Sequence, residues 1–177
     1  MSAARFPGKT LIPAKKIQAR VRALGREISQ HYGDRPLTVV GLMNGSLFFL
    51  VDLLRHLPPQ TRIECWRVSS YEGKKSTGRL RGLDAVQGDY RGRHVLVVDD
   101  ILDTGLTFRA VRAKLLALRA ADVRFCVLLD KRIPRPKAVS ADWVGFPIGN
   151  EFVLGYGLDL DHAYRTLPMI RAVPPAE

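Results

Sequence analysis

The chain predicts an α/β fold: a mostly parallel sheet flanked by helices, with a small appended subdomain. Buried-type apolar runs alternate with segments of helical period, the pattern of a parallel sheet. The last 40 residues break that rhythm into short apolar pieces separated by Gly and Pro. Taken in order, Ile17, Val21, Leu24 and Ile28 step by 4, 3 and 4 and form one apolar helix stripe. Pro13 suits the start of that helix and Gly33 its stop. Residues 37–43 read as a buried strand broken by Asn44-Gly45. Ser46 is placed to cap a helix reaching about Arg55, and Pro58-Pro59 ends it. Residues 62–68 form a second strand. Residues 69–88 are polar and Gly-rich, as expected of a lid or mobile segment. Residues 94–98 form a buried strand ending in Asp99-Asp100, and residues 103–107 lead into a helix over about 108–119. Residues 123–129 make another strand. One domain spanning 1–177 follows: a core over about 10–135 and a small C-terminal hood over about 136–177, to which the N-terminus contributes.

Composition narrows the function classes. The chain has 177 residues, 46% hydrophobic and 25% charged, an ordinary globular balance. Its two cysteines, Cys65 and Cys126, read as buried free thiols of a reducing compartment. Without a CxxC pair or HExxH, and with four scattered histidines, a zinc site is not expected. No apolar run approaches the ~18 residues of a membrane span. The N-terminal stretch lacks an apolar signal core, so a cytoplasmic protein is expected. Lys plus Arg number 28 against 17 acidic residues, a net charge of +11. Phosphate-bearing partners fit that charge. The basic residues are spread along the chain with no basic tail or aromatic stripe, which disfavours nucleic acid.

The sharpest chemical signal is HVLVVDDILDTGLT over residues 94–107. In open α/β sheets, ligands bind beyond the carboxyl ends of strands. Gly105 permits an unusual backbone angle. The N–H groups of Thr104, Gly105, Leu106 and Thr107, two hydroxyls and the helix N-terminus together make a phosphate cradle. Asp99 and Asp100 would repel a phosphate; they suit sugar hydroxyls or a hydrated Mg²⁺. The composite ligand is a ribose 5-phosphate, with Asp103 placed between sugar and phosphate for proton transfer. A response-regulator reading fails because its acidic pair lies near the start of its fold. A DDxxD prenyl-diphosphate reading fails because that motif belongs to all-helical proteins. No GxGxxG or Walker A sequence is present.

VLVVDDILDTGLT resembles the phosphoribosyl-pyrophosphate motif of the type I phosphoribosyltransferases. LMNGSLFFLVDLL, VSSYEGKKSTG, LLDKR and DWVGFPIGNEFVLGYGLDLDHAYRTLP follow the order and rough spacing of hypoxanthine-guanine phosphoribosyltransferases. The resemblance spans about residues 37–170. It implies the type I phosphoribosyltransferase fold and an Mg²⁺-dependent transfer of ribose 5-phosphate from phosphoribosyl pyrophosphate to a 6-oxopurine, forming IMP and GMP from hypoxanthine and guanine. It implies that residues 103–107 hold the 5′-phosphate, that Asp99 and Asp100 face the ribose hydroxyls and metal, and that Asp103 handles the purine N7 proton. It implies too that Lys131 donates to the purine O6, that Phe152 stacks on the base, and that Val153 offers backbone groups to its edge. By the same resemblance, Asp159 is expected to lie by the purine and to bind Mg²⁺. Asn44, Gly45 and Arg165 are expected to meet pyrophosphate, and Ser70-Tyr71 to ride on a mobile loop that closes over the site.

One departure stands out. Many members carry Lys or Arg before the glycine of the pyrophosphate loop; here Asn44 precedes Gly45. The resemblance also implies a cis bond at Met43–Asn44 and a homo-oligomer, dimer or tetramer. Two other readings share the fold: an RNA-binding regulator, kept open by the basic charge, and a xanthine-preferring transferase. Lys131, Phe152, Val153 and Asp159 fit a 6-oxopurine pocket rather than a uracil one.

Overall fold

A computed structural model describes residues 7–70, 80–135 and 139–173. In chain order the elements are β1 (Lys9–Ile12), α1 (Ala14–Tyr32), β2 (Leu37–Met43), α2 (Leu47–Leu54), β3 (Arg62–Arg67), β4 (Ser69–Ser70), β5 (Leu80–Arg81), β6 (His94–Leu102), α3 (Leu106–Ala117), β7 (Asp122–Lys131), β8 (Trp143–Ile148), β9 (Phe152–Leu154) and β10 (Ile170–Val173). Five strands form a parallel sheet in the order β3-β2-β6-β7-β8. A second, antiparallel sheet has the order β1-β10-β9. It joins Lys9–Ile12 to segments from the far end of the chain.

Both faces of the inner strands β2, β6 and β7 are buried, which is why each carries a continuous apolar run rather than an alternating one. Side chains still alternate between faces. Leu96 and Val98 join one cluster with Ile17, Val21, Leu24 and Ile28 of α1 and with Phe49, Leu50 and Leu53 of α2. Val95 and Val97 join the opposite cluster with Phe108, Val111 and Leu115 of α3. Truncating such a side chain, Leu96→Ala for example, costs roughly 2–5 kcal/mol. Pro13 and Gly33 flank α1 as expected; Gly33 has φ 54° and its N–H closes on the Ser29 carbonyl at 2.9 Å.

The structure corrects several expectations. Residues 143–148 belong to the main sheet, as its edge strand β8, so the core extends past the expected boundary near 136. An edge position accommodates Pro147, which cannot donate to a ladder. Strand β3 is the opposite edge, and there Cys65 is exposed; only Cys126 is buried. Ser46 stands before α2 without capping it. Its hydroxyl instead donates to the Leu42 carbonyl at 2.6 Å. Helix α3 starts two residues earlier than expected and ends two earlier. In the segment expected to be a long loop, Ser69–Ser70 pairs with Leu80–Arg81, and Leu83 and Val86 pack against the second cluster. No helix among the described residues is long and apolar enough to cross a membrane.

Candidate active site

Strand β6 runs through Asp99 and Asp100 to Leu102, so both carboxylates lie inside the strand rather than beyond it. Their first hydrogen bonds are local: the Asp100 N–H donates to Asp99 Oδ1 at 3.0 Å, and the Ile101 N–H to Asp100 Oδ1 at 2.8 Å. Burial, then the neighbouring carboxylate charge, pushes Asp99 well above the usual carboxylate range. Burial also raises Asp100, opposed in part by its hydrogen bonds and by the Arg165 charge.

The chain then turns at Asp103–Gly105 into α3. Gly105 stands at the head of that helix with φ 81°, and a side chain there would strike Val139 Cγ1 at 2.0 Å. A helix N-terminus leaves N–H groups without intrahelical partners. The first turn of α3 carries no acidic residue to compete with an incoming anion. Asp103, Thr104, Gly105, Leu106 and Thr107 line one cavity of about 490 Å³ together with Gly45, Asp99, Asp100, Asp159 and Arg165. Six further apolar residues, Leu42, Met43, Val68, Ile101, Leu102 and Phe108, complete its wall.

Groups distant in sequence meet here. The Met43–Asn44 bond is cis, as the resemblance implies. The Asn44 carbonyl accepts the Leu47 N–H at 3.2 Å. Gly45 lies so close to Asp100 that a Cβ would sit 1.6 Å from Oδ2. Gly157 (φ 106°) presses on the same loop, its absent Cβ falling 1.9 Å from the Gly45 carbonyl oxygen. Sequence reasoning missed Gly157; the Gly-Tyr-Gly run at 155–157 was its only signal. Arg165 donates to the Gly157 carbonyl at 2.6 Å and pairs with Asp159 Oδ1 at 2.6 Å. Asp159 Oδ2 accepts the His162 N–H at 2.9 Å.

Lys131 ends strand β7, and its Nζ reaches Asp103 Oδ2 at 2.9 Å. Phe152 is half exposed. It lines a second concavity with Gly8, Lys9, Glu151 and Val173, apart from the carboxylate cavity. Val153 is buried and faces Ala172 in the β9–β10 pairing. Ser70 forms part of the β4–β5 pairing, while Tyr71 lies outside the described residues. Among the described residues no three His, Cys, Asp or Glu side chains converge as a metal cage.

A carboxylate-bearing strand that leads through a glycine turn into a helix N-terminus, on a parallel sheet, is the arrangement expected of a phosphoribosyltransferase. The sequence model of the phosphoribosyl transferase domain matches residues 9–161. The chain is 40% identical over 167 residues to the hypoxanthine-guanine phosphoribosyltransferase of Aquifex aeolicus, covering 93% of this chain and 94% of that one. It is 39% identical over 155 residues to the hypoxanthine-guanine-xanthine phosphoribosyltransferase of Tritrichomonas foetus, covering 87% and 85%. A crystal structure of a hypoxanthine-guanine phosphoribosyltransferase from Bacillus anthracis superposes with a TM-score of 0.88 at 33% identity, covering 96% of this chain and all of that one. The chain belongs to the hypoxanthine-guanine phosphoribosyltransferase family and is a transferase of the type I fold.

Proposed function

We propose that the enzyme transfers ribose 5-phosphate from phosphoribosyl pyrophosphate to hypoxanthine and guanine, giving IMP and GMP plus pyrophosphate, in the cytoplasm. The observation that carries this reading is the 2.9 Å pair of Lys131 Nζ and Asp103 Oδ2, with Asp103 lining the same cavity as residues 104–107. A 6-oxopurine presents an O6 acceptor beside N7. An ammonium donor next to a carboxylate acceptor matches that edge when N7 carries its proton. Adenine would set its 6-amino donor against the lysine, leaving two donors facing each other.

In the proposed reaction the bond from C1 of the ribose to pyrophosphate breaks, and its electron pair leaves with pyrophosphate. Purine N9 supplies the pair for the new bond to C1, and the N7 proton passes to Asp103. Residues 104–107 hold the 5′-phosphate through backbone N–H groups and hydroxyls. Asp99 and Asp100 orient the ribose hydroxyls. Arg165, already fixed by Asp159, offers a fork to the departing pyrophosphate. Phe152 stacks on the base, and Val153 contributes backbone groups to its edge.

The donor set also fits Mg²⁺. Asp99, Asp100 and Asp159 are hard oxygen ligands around one cavity, and Mg²⁺ takes one or two carboxylates plus waters and substrate phosphate rather than an all-protein cage. When bound, it would neutralise charge on the leaving pyrophosphate.

Self-association belongs to the same reading. Leu47, Phe48 and Val51 leave 45%, 36% and 41% of their surface open on helix α2, an apolar face suited to a second copy.

A steady-state ultraviolet assay with phosphoribosyl pyrophosphate and Mg²⁺ tests the function against hypoxanthine, guanine, xanthine, adenine and uracil. Rapid turnover of hypoxanthine and guanine, with adenine and uracil inert, is expected. Dominant turnover of xanthine would favour the xanthine-preferring alternative. Folded protein that turns over no purine would overturn the enzyme reading and move attention to RNA binding.

A further inference from the structure

The register between β6 and β7 ends at the pair Leu102–Asp130. Asp103 is the next residue, so the sheet ladder does not fix its backbone. Arg135 supplies what the ladder lacks. Its Nη1 donates to the Leu102 carbonyl at 3.2 Å and to the Asp103 carbonyl at 3.0 Å. Its Nη2 is hydrogen-bonded to the Asp130 carboxylate. The side chains of Arg135 and Asp130 are only 14% and 19% exposed. A cation so deeply placed is held by its partners rather than by solvent, and removing one partner leaves the other charge uncompensated. A planar guanidinium with five donors can span two strand ends at once; a lysine ammonium on a flexible stem cannot hold that fork.

We propose that Arg135 is the positioning residue of this active site. It extends the β6–β7 pairing one residue past its end, so that the Asp103 carboxylate stays 2.9 Å from Lys131 Nζ. The inference rests on the role proposed above for Asp103. Arg135 is not among the residues lining the carboxylate cavity; it acts through Asp103 rather than on the substrate. Asp103 is therefore held at both levels: Lys131 grips its side chain, and Arg135 grips its backbone.

A double-mutant cycle tests this with hypoxanthine at saturating phosphoribosyl pyrophosphate. The enzymes compared are wild type, Asp103→Asn, Arg135→Gln and the double variant. Arg135→Gln is expected to lower kcat on the order of 10²-fold, as a misplacement of about 1 Å does. In the Asp103→Asn background the same substitution is expected to cost less than about threefold, because the carboxylate it positions is gone. Arg135→Lys, which keeps the charge facing Asp130 but loses the fork, should fall between Arg135→Gln and wild type. Equal losses in both backgrounds would overturn the proposal, since a general structural role ignores Asp103. Wild-type kcat in Arg135→Gln would overturn it too. Wild-type kcat in Asp103→Asn alone would overturn the role of Asp103 and this inference with it, a failure read from the single variant. If Arg135→Gln does not fold, Asp130→Asn takes its place in the cycle. A smaller loss that again vanishes with Asp103→Asn is then expected, and a loss that persists there is contrary to the proposal.

Discussion

At the end of β6 the parallel sheet lines the cavity with one contiguous stretch, Asp99 to Thr107, whereas the antiparallel sheet gathers its strands from Lys9–Ile12, Phe152–Leu154 and Ile170–Val173. The first arrangement needs only a strand end, a glycine and a helix N-terminus, all local in sequence. The second needs the chain's distant parts to close on one another. Under the proposed function, anion binding built from backbone is therefore written as a short motif, while base recognition is dispersed. Lys131 and Asp103 pair where β7 ends and just past β6.

That contact is where the comparison breaks first. Asp103→Asn removes the proton acceptor without changing shape, and kcat for hypoxanthine should fall about 10²–10⁴-fold. Single-turnover product formation would check it, with the KM for phosphoribosyl pyrophosphate little changed. Lys131→Gln comes next. Losing one charge-assisted hydrogen bond to O6 should lower kcat/KM for hypoxanthine roughly 10–10²-fold and narrow the gap to adenine. A competition assay with both bases reads that gap directly; an unchanged ratio would place O6 recognition elsewhere.

A stability contrast sharpens the picture. Burial and a like charge raise Asp99, so the native ligand-free state holds its proton at pH values where the unfolded chain has released it. Stability from this group is full below its ordinary value of 3.8 and is lost as pH rises toward the raised native value. Asp99→Asn should therefore raise the ligand-free Tm by about 2–5 °C at neutral pH while reducing turnover. Calorimetry alongside the assay would check both; a lower Tm would contradict the account. The smallest effect lies far from the site. Burial, then Arg124 and Arg35, holds His31 below its ordinary value of 6.5. Stability from His31 is thus full above 6.5 and falls as pH drops below it. His31→Gln should flatten the pH dependence of Tm by a degree or two between about pH 7 and 5.

Legibility followed the same division. The stripe Ile17, Val21, Leu24, Ile28 and the strand Leu37–Met43 were readable because periodicity is a local property. The glycine turn from Asp103 into α3 was readable for the same reason. Edges were not. That Trp143–Ile148 closes the main sheet, and that Cys65 faces outward, depends on which strands sit outermost, a fact of topology with no local signature. Phe152 and Val153 became candidates only through resemblance, since an aromatic beside a valine on a short strand is ordinary core by pattern. Gly157 and Arg135 escaped notice because each acts through backbone carbonyls of Gly45 or of Leu102 and Asp103, and carbonyls leave no mark in a side-chain pattern.

The separation of the two halves can be measured directly by comparing Thr107→Val, in the cradle, with Phe152→Ala, on the antiparallel sheet. The KM for phosphoribosyl pyrophosphate and the KM for hypoxanthine are determined for both. Thr107→Val should raise the first KM about tenfold and leave the second nearly unchanged, the cost of one hydrogen bond to a charged phosphate. Phe152→Ala should do the reverse, by a similar factor, through lost stacking on the base. Parallel increases of both constants in both variants would contradict the account, because they would mean that phosphate and base are read by one undivided site.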